Sequence, residues 1–259
     1  MNRIDQKFAS LSAEKGKALT LFLTAGFPSI DSTVDLVLEL ERGGADIVEL
    51  GMPFSDPLAD GPVIQHSSAI ALRNGVRLSH ILEYIRKIRR ASEIPLVLMG
   101  YLNPILAFGA KKFFAAAASA GVDGFILPEI PLEEAERYRD LTQRRGLALI
   151  LLVTPTSSPR RITMVDSASS GFLYCVSTTG VTGSHRRSTP QEYIRRVKRY
   201  AKKNPVLVGF GVSTPEDAKS YAANADGVIV GSALIKKIIE GKSNAKLRAW
   251  TRGFKRALA

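Results

Sequence analysis

The sequence predicts a single (β/α)8 barrel domain over residues 1–259, and three observations favour that fold class. Eight short apolar segments recur along the chain, helical patterns lie between them, and 259 residues suit a barrel, which typically needs about 250. Near-continuous apolar strands are typical of a parallel sheet that is covered on both faces. A doubly wound open sheet is the alternative, because eight alternating units do not by themselves prove closure.

The predicted strands are rich in aliphatic residues and usually end in Gly, Pro or a polar residue. They begin at Ala18, Asp46, Pro95, Asp123, Leu147, Gly171, Pro205 and Asp226. Helical patterns cover residues 33–43, 79–90, 111–120, 132–145, 190–202, 214–223 and 233–239. Several of these begin with good start signals, such as Ser213-Thr214-Pro215-Glu216, where a hydroxyl can cap the helix and Pro fits its first turn.

Two strand-to-strand intervals are longer than the others. The second and third strand starts lie 49 residues apart and the sixth and seventh lie 34 apart, whereas the other intervals are 21 to 28 residues. Long strand-to-helix loops of a barrel lie at the carboxyl ends of the strands, where active sites are built. The spacing therefore predicts functional loops around residues 51–62 and 177–188.

Composition restricts the class of protein. Hydrophobic residues make up 45% of the chain and charged residues 23%, which is ordinary for a globular domain. The net charge of +12 is high, but Lys and Arg are spread over predicted helices, such as residues 86–90 and 195–199, without interleaved aromatic residues. We interpret them as solvated helix faces and expect no nucleic-acid partner; attraction of a phosphorylated substrate is a modest additional effect.

The cellular environment is predicted from cysteine use and hydropathy. The single cysteine, Cys175, cannot form an internal disulfide, which suits a reducing compartment. Residues 1–7 lead into no apolar run of the signal-peptide type, and no segment approaches the roughly 20 apolar residues that span a bilayer. We therefore expect a cytoplasmic protein with no membrane segment.

Glu49 is the first candidate for chemistry. It lies near the end of a predicted strand, and side-chain alternation places it with Ile47 on one face and Val48 with Leu50 on the other. If the latter pair packs under helices, Glu49 points into the barrel mouth, where burial raises a carboxyl pKa toward the range useful for proton transfer. The alternative is a structural Glu that pairs with a nearby Lys or Arg.

The loop that follows supplies two more carboxylates, Asp56 and Asp60. Residues 51–62 hold three prolines and two glycines, so the loop is stiff in places and free to bend in others. A buried carboxyl on a strand and a second one on a wet loop can divide acid–base and charge-stabilising roles. The alternative role of each Asp is to cap a turn, and for Asp56 we favour that role.

Three glycine turns in the last third predict a phosphate site. They comprise residues 180–183 after strand six, residues 209–211 at the end of strand seven, and Gly231-Ser232 after strand eight. In barrels, the loops after strands seven and eight often form a phosphate cradle from bare N–H groups and a helix N-terminus. Ser232 begins a helical segment and can donate both its N–H and its hydroxyl.

Other candidate residues are aromatic or aliphatic. Tyr174, in strand six, is either core filler or a site residue whose hydroxyl orients Glu49; Phe22, Met99 and Ile126 could form an apolar slot, although each taken alone is more typical of core. Neither the histidines nor Cys175 shows metal-ligand spacing, so we expect no metal.

The residues around Glu49 carry a family resemblance. The run Val48-Glu49-Leu50-Gly51, followed by Pro53-Phe54-Ser55-Asp56-Pro57-Leu58-Ala59-Asp60-Gly61-Pro62, closely resembles the α-subunit family of tryptophan synthase. The resemblance extends over nearly the whole chain, and the long second-loop motif is highly specific. It continues in Leu23-Thr24-Ala25-Gly26, Gly180-Val181-Thr182-Gly183, Gly209-Phe210-Gly211 and Gly227-Val228-Ile229-Val230-Gly231-Ser232.

The resemblance implies a (β/α)8 lyase that splits indole-3-glycerol phosphate into indole and glyceraldehyde 3-phosphate by a retro-aldol reaction. It implies that Glu49 is the acid–base group, that Asp60 stabilises positive charge at the indole N–H, and that Tyr174 flanks both the indole and Glu49. The implied substrate-binding residues form apolar walls, a phosphate site and a lid: Phe22, Met99, Ile126, Thr182, Gly183, Phe210, Gly211, Gly231 and Ser232.

The resemblance also implies a partner. The family's β-subunit carries pyridoxal phosphate and receives indole within an α2β2 heterotetramer, so no cofactor is expected in this chain. Independently, residues 101–109 are unusually apolar for a loop at a barrel mouth, which favours an interface; alternatively they fold under the next helix.

The chain departs from the family pattern at two places. The usual Pro-Asp-Leu-Pro is here Pro128-Glu129-Ile130-Pro131, and the lid contains Thr178-Thr179 and ends in His185-Arg186-Arg187. These differences keep one other hypothesis open, a catalytically weak regulatory subunit that mainly activates the β-subunit. A separate alternative is a barrel that acts on another phosphorylated metabolite.

Overall fold

The computed structural model describes residues 2–176, 189–209 and 211–259. All eight predicted strands are present, and each begins within two residues of its predicted start. The strands are β1 (Ala18–Thr24), β2 (Ile47–Gly51), β3 (Leu96–Met99), β4 (Gly124–Ile126), β5 (Ala148–Val153), β6 (Leu173–Val176), β7 (Val206–Gly209) and β8 (Gly227–Val230).

The sheet is a closed parallel barrel in which each strand pairs with its neighbour in sequence. Pairing of β1 with β8, through the register Ala18 with Gly227, closes it. The predicted (β/α)8 barrel is thus confirmed, and the open-sheet alternative is wrong. The register pairs Phe22 on β1 with Glu49 on β2, so these two side chains point to the same face of the sheet. Every second residue of each strand points to that face, which is the interior of the barrel.

The described part of the chain contains twelve helices, and the seven predicted ones lie within two residues of their expected bounds. The helices are α1 (Arg3–Ala13), α2 (Ser32–Arg42), α3 (Pro62–Arg73), α4 (Leu78–Arg89), α5 (Leu102–Phe108), α6 (Ala110–Ala120), α7 (Leu132–Gln143), α8 (Pro159–Ala168), α9 (Pro190–Tyr200), α10 (Pro215–Ala222), α11 (Ser232–Ile239) and α12 (Asn244–Ala257). The predicted cap of α10 is confirmed, since the Thr214 side chain accepts a hydrogen bond from the Asp217 N–H.

Helix α1, which the sequence pattern did not predict, closes the amino-terminal end of the barrel. Its Ile4 side chain is fully buried, and a Cβ added at Gly124 or Gly171 would lie 3.2 or 3.4 Å from that side chain. Small residues at the amino-terminal ends of the strands therefore leave room for Ile4. This end of the barrel is filled, and the open end is the opposite one.

The long interval between β2 and β3 contains a loop and two helices. Residues 52–61 form the loop, and α3 and α4 follow it. Pro62 occupies the first turn of α3, where its missing N–H costs no helix hydrogen bond. The second predicted loop, residues 177–188, lies outside the described residues. No helix within the described ranges combines the length and hydropathy that a membrane crossing requires.

Candidate active site

A cavity opens at the carboxyl ends of the strands, between the β2–α3 loop and the turns after β7 and β8. Strands β1, β2, β3, β6 and β8 each contribute one residue to its walls, and the loops and helix starts that follow the strands contribute the rest, so side chains that are distant in sequence converge there. The described residues that line it are Phe22, Glu49, Asp60, Gly61, Ile64, Met99, Tyr174, Gly211, Val212, Ser213, Ile229, Gly231 and Ser232.

Glu49 is a fully buried carboxyl at this cavity. Neither of its oxygens has a hydrogen-bond partner among the described residues, and no salt bridge to it occurs there. Burial alone raises the pKa of Glu49 to about 8, so the side chain is mainly a neutral acid at neutral pH. The structural alternative, a Glu paired with a nearby Lys or Arg, is therefore not supported by the described contacts.

Asp60 lies on the β2–α3 loop at the edge of the same cavity and is half-buried. Its backbone is held on both sides, because its N–H donates to the Pro57 carbonyl (3.0 Å) and its carbonyl accepts from Gln65 Nε2 (2.9 Å). Burial raises the pKa of the Asp60 carboxyl to about 6, although a hydrogen bond from Tyr101 opposes that rise. Asp60 is thus mostly ionised at neutral pH while Glu49 is mostly neutral.

Tyr174 reaches the cavity from β6 and Phe22 reaches it from β1, and each lies against a glycine. A Cβ at Gly209 would lie 2.2 Å from the Tyr174 hydroxyl, and a Cβ at Gly51 would lie 2.5 Å from Phe22 Cζ. A side chain at either glycine would therefore have to push the aromatic ring out of the cavity wall. Burial and the nearby Glu49 charge raise the pKa of Tyr174 well above its usual value, so its hydroxyl stays protonated.

Backbone groups of Gly211, Gly231 and Ser232 surround the other end of the cavity. Gly231 is the N-cap of α11, and Ser232 is the first residue of that helix. Gly211 has φ of 79°, a conformation that residues with a Cβ rarely adopt. The free N–H groups and positive dipole of a helix N-terminus attract an anion at this end.

The cavity brings together eight of the predicted site residues, namely Glu49, Asp60, Tyr174, Phe22, Met99, Gly211, Gly231 and Ser232. Ile126 is fully buried on β4, pairs with Met99 and Ile150 in register, and does not belong to the cavity lining. Thr182, Gly183 and Phe210 lie outside the described residues. Asp56 is exposed and accepts a hydrogen bond from the Ser55 hydroxyl (2.5 Å), as expected for a turn residue.

Five lining residues were not predicted: Gly61, Ile64, Val212, Ser213 and Ile229. Alternation along β8 could have identified Ile229, since it shares the parity of Gly231. Ile64 could not be identified in this way, because it reaches the cavity from α3, whose position over the barrel mouth depends on tertiary packing. Within residues 2–176, 189–209 and 211–259, no group of three or more His, Cys, Asp or Glu side chains could hold a metal ion.

The cavity thus offers one buried acid, one ionised carboxylate, an apolar slot and an anion site. The acid can give and take back a proton, and the carboxylate can stabilise a developing positive charge at low dielectric. The apolar slot suits a flat aromatic group, while the helix N-terminus suits a phosphate at the other end of the same molecule.

Comparisons with known proteins agree with this chemistry. A family model described as tryptophan synthase alpha chain matches residues 8–256. A tryptophan synthase alpha chain from a Geobacter species is 50% identical over 260 residues, which cover 100% of this chain and 97% of the relative. One from Geotalea daltonii is 49% identical over 239 residues, covering 92% of this chain and 90% of the relative.

Solved structures give the same result. The crystal structure of tryptophan synthase subunit alpha from Legionella pneumophila matches with a TM-score of 0.89 and 37% identity, over 100% of this chain and 98% of that one. A tryptophan synthase structure from M. tuberculosis, in its aminoacrylate-bound form, matches with a TM-score of 0.89 and 34% identity over the full length of both chains. This chain belongs to the tryptophan synthase alpha-chain family.

Proposed function

We propose that this chain is a carbon–carbon lyase of tryptophan biosynthesis, which cleaves indole-3-glycerol phosphate to indole and glyceraldehyde 3-phosphate. The observation that carries the proposal is Glu49, a buried carboxyl with no partner among the described residues, at a cavity with an anion site at its other end. Membership of the tryptophan synthase alpha-chain family supports the same reaction.

Glu49 acts as the acid–base group. With its pKa raised to about 8, it begins as the neutral acid and donates its proton to indole C3, which leaves positive charge on the ring nitrogen. The resulting carboxylate takes the proton of the side-chain hydroxyl as the C–C bond breaks. The bonding electrons return to the ring, an aldehyde forms, and Glu49 is again protonated at the end of the cycle.

Asp60 stabilises the charge that this protonation creates. With a pKa of about 6 it is mostly ionised at neutral pH, and it accepts a hydrogen bond from the indole N–H. The two carboxyls have different roles because their burial differs. Glu49 is fully buried and carries the proton, whereas Asp60 is half-buried and stays ionised. Tyr174 flanks the ring, and its buried hydroxyl stays protonated beside Glu49.

The remaining residues bind and orient the substrate. Phe22 and Met99, together with Ile64 and Ile229, form the apolar slot for the indole ring. Gly211, Gly231 and Ser232 hold the phosphate at the N-terminus of α11. We propose that Thr182, Gly183 and Phe210 complete the lid and the cradle and that Ile126 supports the slot from behind Met99.

We further propose that the chain assembles with a pyridoxal-phosphate-bearing β-subunit in an α2β2 heterotetramer, without a cofactor of its own, in the cytoplasm. Two large exposed hydrophobic side chains support a partner at the barrel mouth: Leu58, on the β2–α3 loop, is 94% exposed, and Leu106, on α5, is 47% exposed. The apolar segment 101–109 is partly folded under its neighbours, since Ile105 is fully buried, while Leu106 stays available for contact.

Indole release from indole-3-glycerol phosphate by the purified chain, with and without a cognate β-subunit, tests the proposal. We expect indole in both conditions and faster release with the partner. Faster turnover of the β-subunit with no indole released in either condition would contradict the lyase assignment and favour a regulatory subunit. Stronger binding of another sugar phosphate in competition would favour a different substrate.

A further inference from the structure

Tyr101 forms a hydrogen-bonded junction between the β3–α5 corner and the loop that carries Asp60. It is the N-cap residue of α5, and its side chain is only 8% exposed. Its hydroxyl oxygen accepts a hydrogen bond from the Ala59 N–H (2.9 Å) and lies 3.3 Å from Asp60 Oδ2. The resemblance and the pattern of apolar residues did not identify Tyr101 as a site residue.

The direction of the hydroxyl proton follows from these two contacts. A backbone N–H can only donate, so the Ala59 contact occupies a lone pair of the Tyr101 oxygen. The O–H bond is then free to point at the nearby Asp60 carboxylate, which can only accept when it is ionised. Tyr101 is the only side-chain donor to that carboxylate within the described residues.

Tyr101 itself is fixed from several sides. Its ring lies against the Phe54 ring, with centroids 5.2 Å apart. The next residue, Leu102, donates its N–H to the Glu129 carboxylate, which links the start of α5 to the β4–α7 loop. The ring contact and the backbone anchor at Leu102 together restrict where the Tyr101 hydroxyl can lie.

We propose that Tyr101 is a positioning residue, which holds the Asp60 carboxylate in the orientation that receives the indole N–H. The inference rests on the proposed lyase function. Without the hydroxyl, the Asp60 side chain would keep its backbone anchors but lose the donor that defines its rotamer. Other ionisable groups of the described residues near Asp60 and Tyr101 are Glu49 and Tyr174 across the cavity and Glu129 behind Tyr101.

The Tyr101→Phe variant tests the proposal, because it keeps the ring and removes only the hydroxyl. We expect kcat to fall about 10-fold with a smaller change in KM, since a charge-assisted hydrogen bond is lost beside the group that acts in the transition state. The reaction needs ionised Asp60, so activity declines as pH falls through its pKa. Removing a bond that lowers this pKa should move the acidic limb of the kcat profile upward by about half a pH unit to one unit.

Tyr84→Phe is the matched control. Tyr84, on α4, is also buried, and its hydroxyl has no hydrogen-bond partner among the described residues. This variant should keep the wild-type kcat and acidic limb. Thermal unfolding of both variants would separate a loss of folded protein from a loss of turnover per folded molecule.

Substitution of Tyr101 by 3-fluorotyrosine provides a second test that preserves the fold. The fluorinated phenol is a stronger hydrogen-bond donor, so the acidic limb should move to lower pH, opposite to its movement in Tyr101→Phe. If the wild-type enzyme is active and the acidic limb of the kcat profile stays in place in both variants, Tyr101 does not position Asp60, while the lyase function stands. A wild-type chain that releases no indole, alone or with the β-subunit, would instead contradict the lyase function itself.

Discussion

The two ends of the barrel use carboxylates in opposite ways. At the amino-terminal end, Asp46, Asp123 and Asp226 each stand directly before a strand and accept hydrogen bonds from the neighbouring strand and from a Lys or Arg. At the carboxyl end, Glu49 is more deeply buried and has no such partner in the described residues. The same chemical group is structural at one end and, as we propose, reactive at the other.

Asp123 illustrates the structural kind. Its Oδ2 accepts from the Leu96 N–H (2.8 Å) and pairs with Arg89 (2.6 Å), and its Oδ1 pairs with Arg3 (3.1 Å). Burial raises the pKa of Asp123, but these three partners each lower it. For Glu49, burial is the only cause of the pKa shift. Burying a carboxyl without a hydrogen bond or counter-charge lowers the stability of the fold. Such a loss of stability is expected at a site where function requires the carboxyl.

The largest expected effect is that of Glu49→Gln on catalysis. The amide keeps the size of the side chain but cannot exchange protons, so turnover should fall by about 10²- to 10⁴-fold. Indole release under saturating substrate measures it. Asp123→Asn, at the other end, should keep wild-type turnover per folded molecule. Near-normal activity of Glu49→Gln would show that another group moves the proton.

The same Glu49→Gln substitution should stabilise the fold at alkaline pH. Folded Glu49 keeps its proton up to pH about 8, whereas the unfolded chain releases it near pH 4.5, so the wild type loses stability as pH rises between these values. The loss levels off above pH 8, where both states are ionised. Glu49→Gln has no such carboxyl, so above pH 8 its free energy of unfolding should exceed that of the wild type by about 3–5 kcal/mol.

Denaturant unfolding of both proteins at several pH values between 5 and 9 would measure the difference. Other titrating groups are common to the two proteins and cancel in that comparison. A stability difference that does not change with pH would mean that Glu49 is ionised in the folded protein, and hence that it has a partner.

At the structural end, Asp123→Asn should destabilise the protein by about 3 kcal/mol. The substitution leaves Arg89, which is only 10% exposed at its side chain, without a buried counter-charge. Asp56→Asn is the control, because Asp56 is exposed and, among the residues that the structure describes, its side chain contacts only the neighbouring Ser55. It should change stability by less than about 0.5 kcal/mol. Equal effects of the two substitutions would contradict the contrast between buried and exposed carboxylates.

The fold could be predicted from the sequence because its strands are continuous apolar runs whose limits are set by Gly, Pro and polar residues. Helix α1 was not predicted, because its place in the fold depends on contacts with residues that are distant in sequence. Its Ile4 fills space left by Gly124 and Gly171, more than a hundred residues away. Periodicity within one segment carries no information on such a contact.

The candidate site could be predicted in part, for similar reasons. Alternation within β2 indicated that Glu49 points into the barrel, and the loop motif identified Asp60. The hydrogen bonds of Tyr101 to the β2–α3 loop join segments that are 41 and 42 residues apart. Ile126 has the parity of a cavity residue, but its side chain is covered by the packing around β4.

The smallest expected effect concerns the anion end of the cavity. Gly211 has φ of 79°, so Gly211→Ala should strain the turn after β7 and displace the backbone N–H groups that we propose bind the phosphate. We expect KM for indole-3-glycerol phosphate to rise about 10-fold, which corresponds to about 1.4 kcal/mol, while kcat changes less. Binding of free indole, which has no phosphate, is the internal control and should be nearly unchanged. An equal loss for both ligands would mean that Gly211 shapes the apolar slot and not the anion site.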